Sequence, residues 1–351
     1  MATIKKSMTG SERMLAACRH QSVDATPVWF MRQAGRSSPD YRKLREKYEM
    51  LTLAKTPDLA AKVTLMPVRD LGVDAAVLFA DIMLALDGMG VPYHIEPETG
   101  PIIPTPIRTQ AQIDAMTVLP AEEATPYVIE TVKMVRAELK DAAALVGFAG
   151  APFTLACYMI EGRPSRDYAQ AKKMMFSHPD MWHSLMEKVT AAVIEYLRGQ
   201  AKAGIQAAQI FDSWVGMLSP AQYRRYVLPY TTRIFAEVRR LGIPSIHFSA
   251  DTSSLLELMA DAGCDIVSVD WRVMLDDAWA RIGYDKGIQG NLDPVLLLAP
   301  HDVVEEEARD VLRRAAGRPG HIFNLGHGIL PQTHLADMRH LVEFVHDESR
   351  R

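Results

Sequence analysis

Apolar residues fall along this chain in two alternating rhythms. Short runs of four to six residues, rich in β-branched or aromatic side chains, alternate with longer stretches whose apolar positions recur at three- and four-residue steps. The short runs predict eight strands, at Pro27–Met31, Asp74–Phe79, Leu145–Ala149, Gln206–Phe211, Ser245–Phe248, Asp265–Val269, Gly287–Gly290 and His321–Leu325. The clearest helical stretch runs from Pro179 to Gly199, with Met181, Trp182, Leu185, Met186, Val189, Val193, Tyr196 and Leu197 on one stripe. Ser177 is its expected N-cap, Pro179 suits the first turn and Gly204 ends or follows it. A second helix is expected from Ser219-Pro220, carrying Tyr223, Tyr226, Val227 and Tyr230, and a last one after Pro331, carrying Leu335, Met338, Leu341, Val342 and Val345. Strands that alternate with helices pair in parallel, so the pattern predicts an α/β fold of (β/α)8 barrel type. The competitor is a doubly wound open sheet. Its dinucleotide fingerprint, G-x-G-x-x-G between a strand and a helix, is missing, and so is a Walker A sequence.

Composition narrows this further. A chain of 351 residues without low-complexity or linker segments fits a single barrel domain over residues 1–351. Lys plus Arg is 39 against 43 Asp plus Glu, a net charge of −4, which argues against a nucleic-acid binder. The opening MATIKKSMTGSERML has two lysines but no apolar run behind them, so no secretory signal is expected there. The longest uncharged stretch, Ala142 to Ile160, contains Gly147, Gly150 and Pro152 and reads as a strand and loop, not a membrane helix. Cys18, Cys157 and Cys264 lie far apart, so neither a disulfide framework nor a cysteine zinc site follows. The expected compartment is the cytoplasm.

In such a barrel the chemistry sits where strands end. Between Arg32 and Arg45 stand five cations (Arg32, Arg36, Arg42, Lys43, Arg45) against one acid, Asp40. Arginine's planar fork suits carboxylate or phosphate. Arg32 and Arg36 directly follow a strand, together with Gln33, Ala34 and Gly35, the last allowing close backbone approach; Arg42, Lys43 and Arg45 read equally well as a solvated helix face. Asp81 lies between Leu78-Phe79-Ala80 and Ile82-Met83-Leu84, where a carboxylate is costly unless paired with an arginine or used on a developing positive charge or on N–H donors. Tyr158 reads as core or site, Ser213 as N-cap or site, and His327 sits between two glycines that let its ring approach a ligand. His334, His340 and His346, spaced by six on the last helix, do not share a face.

With these residues in view, the chain resembles the uroporphyrinogen decarboxylase family. The resemblance rests on PVWFMRQAGR followed by PDY, then GFAGAPFTLACYMIEG, IFDSWVGMLSP, DWR, QGNLDP and FNLGHGILP, in order and over nearly the whole chain. It implies a (β/α)8 barrel, a homodimer, no metal or organic cofactor, and decarboxylation of the four acetate side chains of uroporphyrinogen III to give coproporphyrinogen III. By motif position it implies substrate contacts from Arg32, Gln33, Ala34, Gly35, Arg36, Asp81, Tyr158, Ser213 and His327, with Asp81 and Arg32 catalytic and Arg45 a weaker addition. The chain departs from the family pattern at Ser37-Ser38, which would make the mouth loop more mobile or more polar. It departs again at Ser249-Ala250-Asp251-Thr252, which lacks expected glycines. Two rivals stand beside this reading. One is a zinc-dependent, corrinoid-type methyltransferase of the same barrel superfamily, whose His-x-Cys pair is replaced here by His247-Phe248-Ser249. The other is a barrel that binds tetrapyrroles without catalysis.

Overall fold

The computed structural model describes residues 7–351; Lys5 and Lys6 of the opening stretch lie outside it. Its strands are β1 (Ala75–Val77), β2 (His94–Glu96), β3 (Gly100–Ile102), β4 (Ala144–Gly150), β5 (Ala207–Phe211), β6 (Ser245–Phe248), β7 (Ile266–Ser268), β8 (Gly287–Gln289) and β9 (His321–Ile322). Seven of them form one parallel sheet in the order β1-β4-β5-β6-β7-β8-β9, while β2 and β3 make a separate antiparallel hairpin that the apolar pattern does not announce. Helices occupy the crossovers, as expected for parallel neighbours.

The first expected strand, residues 27–31, is not a member of that sheet. It makes a single parallel bridge, Val28 to Phe323. The reason is local: Pro27 has no N–H to give, and side chains take three of the next four, Trp29 N–H going to Phe323 O (3.4 Å). Val28 N–H goes to Asp74 Oδ2 (2.7 Å), Phe30 N–H to Gln33 Oε1 (3.0 Å) and Met31 N–H to Asn324 Oδ1 (3.3 Å). The segment nevertheless touches both ends of the sheet. Phe323 N–H donates to Pro27 O (2.9 Å), and Asp74 N–H donates to Val28 O (2.9 Å).

The sheet is strongly curled. β5 and β8 are separated by two strands, which in a flat sheet would hold them about 14 Å apart. Yet Gln289 Nε2 donates to Gln209 Oε1 at 3.0 Å, and also to Ser268 Oγ at 2.9 Å. Trp29 Nε1 in turn donates to Gln289 Oε1 at 3.0 Å, so side chains from four segments meet in one buried layer.

The long helix spans Pro179–Ala203 and buries the expected stripe; its cap residue is His178, not Ser177, and Gly204 at φ 122° ends it. It lies so close to β4 that a Cβ on Gly147 would stand 2.3 Å from Gln200 Oε1. Gln200 uses that proximity, accepting from Phe148 N–H (3.0 Å) and donating to Phe148 O (2.9 Å). The helix expected from Ser219 divides into Pro220–Tyr226 and Leu228–Arg240, because Pro229 lacks the N–H that would continue the first ladder. Ser219 caps the first of these with a reciprocal bond pair to Gln222. The last helix runs Leu335–Glu348.

Asp74, 1 % exposed, ties the chain's two ends to the sheet. Beyond Val28, its carboxylate takes Arg13 Nη1 (2.5 Å) and His346 Nε2 (2.7 Å). Arg13 keeps Asp24 (2.7 Å) when Asp74 is removed, but the buried Val28 N–H loses its acceptor, at a cost of about 1–3 kcal/mol. Asp74→Ala should therefore lower the folding free energy by roughly that amount, read as a fall in the denaturant midpoint; an unchanged midpoint would show that these contacts do not hold the fold.

Candidate active site

A cavity of about 670 Å³ opens where the sheet strands end. All nine residues singled out from the sequence line it: Arg32, Gln33, Ala34, Gly35, Arg36, Asp81, Tyr158, Ser213 and His327, with Arg45 beside them. They come from five different stretches of chain, and Trp29 joins them as part of the lining.

The cationic side is built from a tight turn. Gln33 N–H donates to Phe30 O (3.1 Å), and Arg32, the third residue of that turn, takes φ +63°, a left-handed conformation that usually calls for glycine. Such a backbone persists only where its surroundings impose it. Gln33 Nε2 donates to Ala75 O (2.9 Å), so this side chain is committed to the fold. Two glycines clear the space around Arg32: a Cβ on Gly35 would stand 2.8 Å from its carbonyl oxygen, and one on Gly328 would stand 2.5 Å from its Cδ. The guanidinium groups of Arg32 and Arg36 are exposed and have no protein hydrogen-bond or ion-pair partner among the described residues. The remaining cations of the cluster are engaged. Arg42 Nη1 donates to Arg36 O (2.7 Å), Arg45 Nη1 to Tyr48 O (2.9 Å), and Lys43 faces Asp40.

Asp81 caps the 3-10 helix Ile82–Met89, its Oδ1 accepting from Met83 N–H at 2.9 Å. It is not ion-paired, so the reading of a buried aspartate matched with an arginine does not hold. Burial holds its carboxyl above the ordinary carboxylate value, while the Met83 N–H and the charge of Arg32 act the other way. Tyr158, on the helix Pro152–Glu161, is pushed up to about 12, chiefly by burial, and is a neutral phenol at working pH. His327 is held below the ordinary imidazole value by burial and by Arg32 and Arg272, against Asp270 and Asp251. It is a neutral ring near pH 7. Ser213 is not an N-cap; that position belongs to Trp214.

The apolar wall was not foreseen. Phe148, Phe211 and Phe248 stand near the ends of β4, β5 and β6 and line the cavity. They meet edge to face, 5.4 Å between the first two rings and 5.5 Å between the second two, and Phe248 meets His327 at 6.0 Å. Aromatic residues near the ends of three consecutive strands were the available signal. The hairpin contributes Ile95, Glu96, Pro97, Glu98 and Pro101 to the lining.

The departures from the family pattern have structural explanations. Ser37 and Ser38 are buried, and Ser38 caps the helix Pro39–Arg45, so they form a capped turn. Asp251 takes φ +58° in place of a glycine, its N–H held by Asp270 Oδ2 at 2.6 Å. For the zinc rival, His247 is fully buried with its Nε2 3.7 Å from Asp212 Oδ2, and it does not line the cavity. The three cysteines are buried, and among the described residues no three His, Cys, Asp or Glu side chains are grouped to hold a metal ion. Of the spaced histidines, His340 pairs with Glu305 (2.9 Å) and His346 with Asp74.

The chain matches the family model described as uroporphyrinogen decarboxylase over residues 9–348. It is 49 % identical over 339 residues to a protein of Carboxydothermus hydrogenoformans named uroporphyrinogen decarboxylase, covering 97 % of each chain. It is 50 % identical over 339 residues to one of the same name from Sorangium cellulosum, again covering 97 % of each. Among solved structures it superposes on a methyltransferase from Methanosarcina mazei with a TM-score of 0.79 over 97 % of this chain and 99 % of that one; at 21 % identity this likeness concerns the fold alone. On these matches, the chain belongs to the uroporphyrinogen decarboxylase family.

Proposed function

We propose that this protein removes carbon dioxide from the four acetate side chains of uroporphyrinogen III, giving coproporphyrinogen III. The observation that carries the reading is the sharing of one cavity by two guanidinium groups, neither of them ion-paired among the described residues, and a half-buried carboxylate.

The substrate carries eight carboxylates, and Arg32 and Arg36 supply charges that have no ion-pair partner among the described residues. A flat-sided, apolar macrocycle suits the wall of Phe148, Phe211 and Phe248. Tyr158, Ser213 and a neutral His327 offer hydrogen bonds to further carboxylates. Loss of carbon dioxide leaves an electron pair on the former acetate carbon, which needs a sink. Protonating the adjacent pyrrole α-carbon creates that sink as an iminium-like cation. The pair released from the carbon–carboxylate bond neutralises the cation and leaves an exocyclic double bond. A proton added to the exocyclic carbon and one lost from the ring restore the pyrrole and complete a methyl group, with one proton consumed per carboxylate. Asp81 is the anion that stabilises the cation. Burial works against the charged form of Asp81, and pyrrole N–H donors and a positive ring work in its favour. Preorganised charge of this kind is commonly the largest single contribution to catalysis. Arg32, whose charge acts on Asp81, takes a direct part at the same centre.

We further read residues 1–351 as one domain in which residues 27–31 close the curled sheet into an eight-stranded ring, supported by their bonds to Phe323 on one side and Asp74 on the other. Among the described residues no helix is long and apolar enough to cross a membrane, which accords with a cytoplasmic enzyme. The homodimer implied by the family resemblance belongs to the same reading. Sedimentation should give twice the chain mass, and a monomer at micromolar concentration would remove that part.

Anaerobic incubation with reduced uroporphyrinogen III in the presence of chelator, followed by chromatography of the oxidised products, should show carboxylates falling from eight to four. Octacarboxylate alone would defeat the proposal. Asp81→Asn should lower turnover by about two to three orders of magnitude while substrate affinity survives better; wild-type turnover in that variant would remove the electrostatic role. Arg36→Ala should weaken affinity by roughly tenfold or more, the size of a charge-assisted hydrogen bond. Rising salt should weaken wild-type affinity too. Salt-independent affinity would count against a carboxylate-binding wall.

A further inference from the structure

We infer that Asn324 is a positioning residue for two substrate-binding groups at once: its carboxamide oxygen ties the turn that carries Arg32 to the loop that carries His327. This deepens the proposed decarboxylase reading and rests on it for the ligand the cavity takes.

Asn324 follows β9 and is fully buried. Its Oδ1 accepts two backbone N–H groups from segments far apart in sequence. One is Met31 N–H (3.3 Å), immediately before Arg32. The other is Leu325 N–H (2.8 Å), at the start of the loop Leu325-Gly326-His327. That loop then returns to the same turn, where Ile329 N–H donates to Met31 O (2.9 Å). Met31 is thus held at both its N–H and its C=O by the stretch on either side of His327. Between these two anchors, Gly328 lies so close to Arg32 that a Cβ there would stand 2.5 Å from Arg32 Cδ. The position of the guanidinium and that of the imidazole therefore depend on one another. Asn324 does not line the cavity, so it acts through Arg32 and His327, which do.

The orientation of the amide is fixed by its partners. Two backbone donors need an acceptor, so the oxygen and not the nitrogen faces them. Nδ2, on the other side, is buried and makes no hydrogen bond. A buried donor without a partner costs free energy, so what this residue contributes is its oxygen. That oxygen is also neutral. It holds the turn without setting a carboxylate against it, and Arg32 keeps its charge for the carboxylates of the ligand.

Uroporphyrin III, the oxidised octacarboxylate, reports binding without turnover through quenching of its fluorescence. Asn324→Leu keeps the branched shape and removes the oxygen. Affinity should fall roughly three- to tenfold, the size of one net hydrogen bond. In a background of Arg32→Ala with His327→Ala the same substitution should cost less than about twofold, because the groups it positions are gone. An equal cost in both backgrounds would mean that Asn324 only holds the fold, and would overturn the inference. Asn324→Ala removes the same oxygen without added bulk and gives the same test if Asn324→Leu does not fold. Amide hydrogen exchange in the ligand-free protein separates this inference from the decarboxylase reading. On loss of the oxygen, the Met31 and Leu325 amides should both exchange about tenfold faster. The Phe30 amide, held by Gln33 Oε1 (3.0 Å), should not change. Acceleration at only one of the two, or at neither, would overturn the inference even in an active enzyme. Acceleration at both in a protein that leaves uroporphyrinogen untouched would uphold the tie between the two segments while the decarboxylase reading fell.

Discussion

An arginine left without a counter-ion inside a cavity is the constraint on which this site depends. Arg32 is exposed to the cavity, and several devices combine to present it there. Arg32 occupies a left-handed backbone conformation, at a cost of about 1–3 kcal/mol for a non-glycine residue. Gly35 and Gly328 give it room that a single methyl group would close. The turn that bears it is held by Gln33, Asn324 and Asp74, each taking a backbone N–H that a regular strand would have used. Residues 27–31 forgo the sheet ladder, and the same exchange presents the cation.

Asp81 answers that cation without neutralising it. Its Oδ1 is occupied by the Met83 N–H, which anchors the carboxylate at the start of a short helix, half-buried at the cavity wall. Opposite charges kept near each other but unpaired, in a cavity walled by phenylalanine, interact with a ligand more strongly than they would in bulk water. The buried layer of Trp29, Gln209, Ser268 and Gln289 gives this arrangement a stiff support, because each of its side-chain bonds joins segments remote in sequence.

Much of this was legible in the residue order. Polar groups directly after apolar runs pointed to Arg32, Arg36, Asp81, Ser213 and His327, because parallel strands deliver their ends to one side. Residues 27–31 are less regular than their apolar run suggests, because three of their N–H groups go to the side chains of Asp74, Gln33 and Asn324. The same logic missed the hairpin, since His94–Glu96 and Gly100–Ile102 are too short and too mixed to show alternation.

The sequence by itself determined the alternation of elements, their ends, and the set of side chains delivered to the C-terminal ends of the strands. Those properties depend on periodicity and on neighbours a few bonds away. The tertiary structure alone decided that Arg32 and Arg36 meet no counter-ion among the described residues, that Asp81 caps a helix instead of pairing with one of them, and that Phe148, Phe211 and Phe248 meet edge to face as one wall. Each of these depends on which groups from distant segments reach the same few ångströms, and packing of the whole chain is what sets that distance.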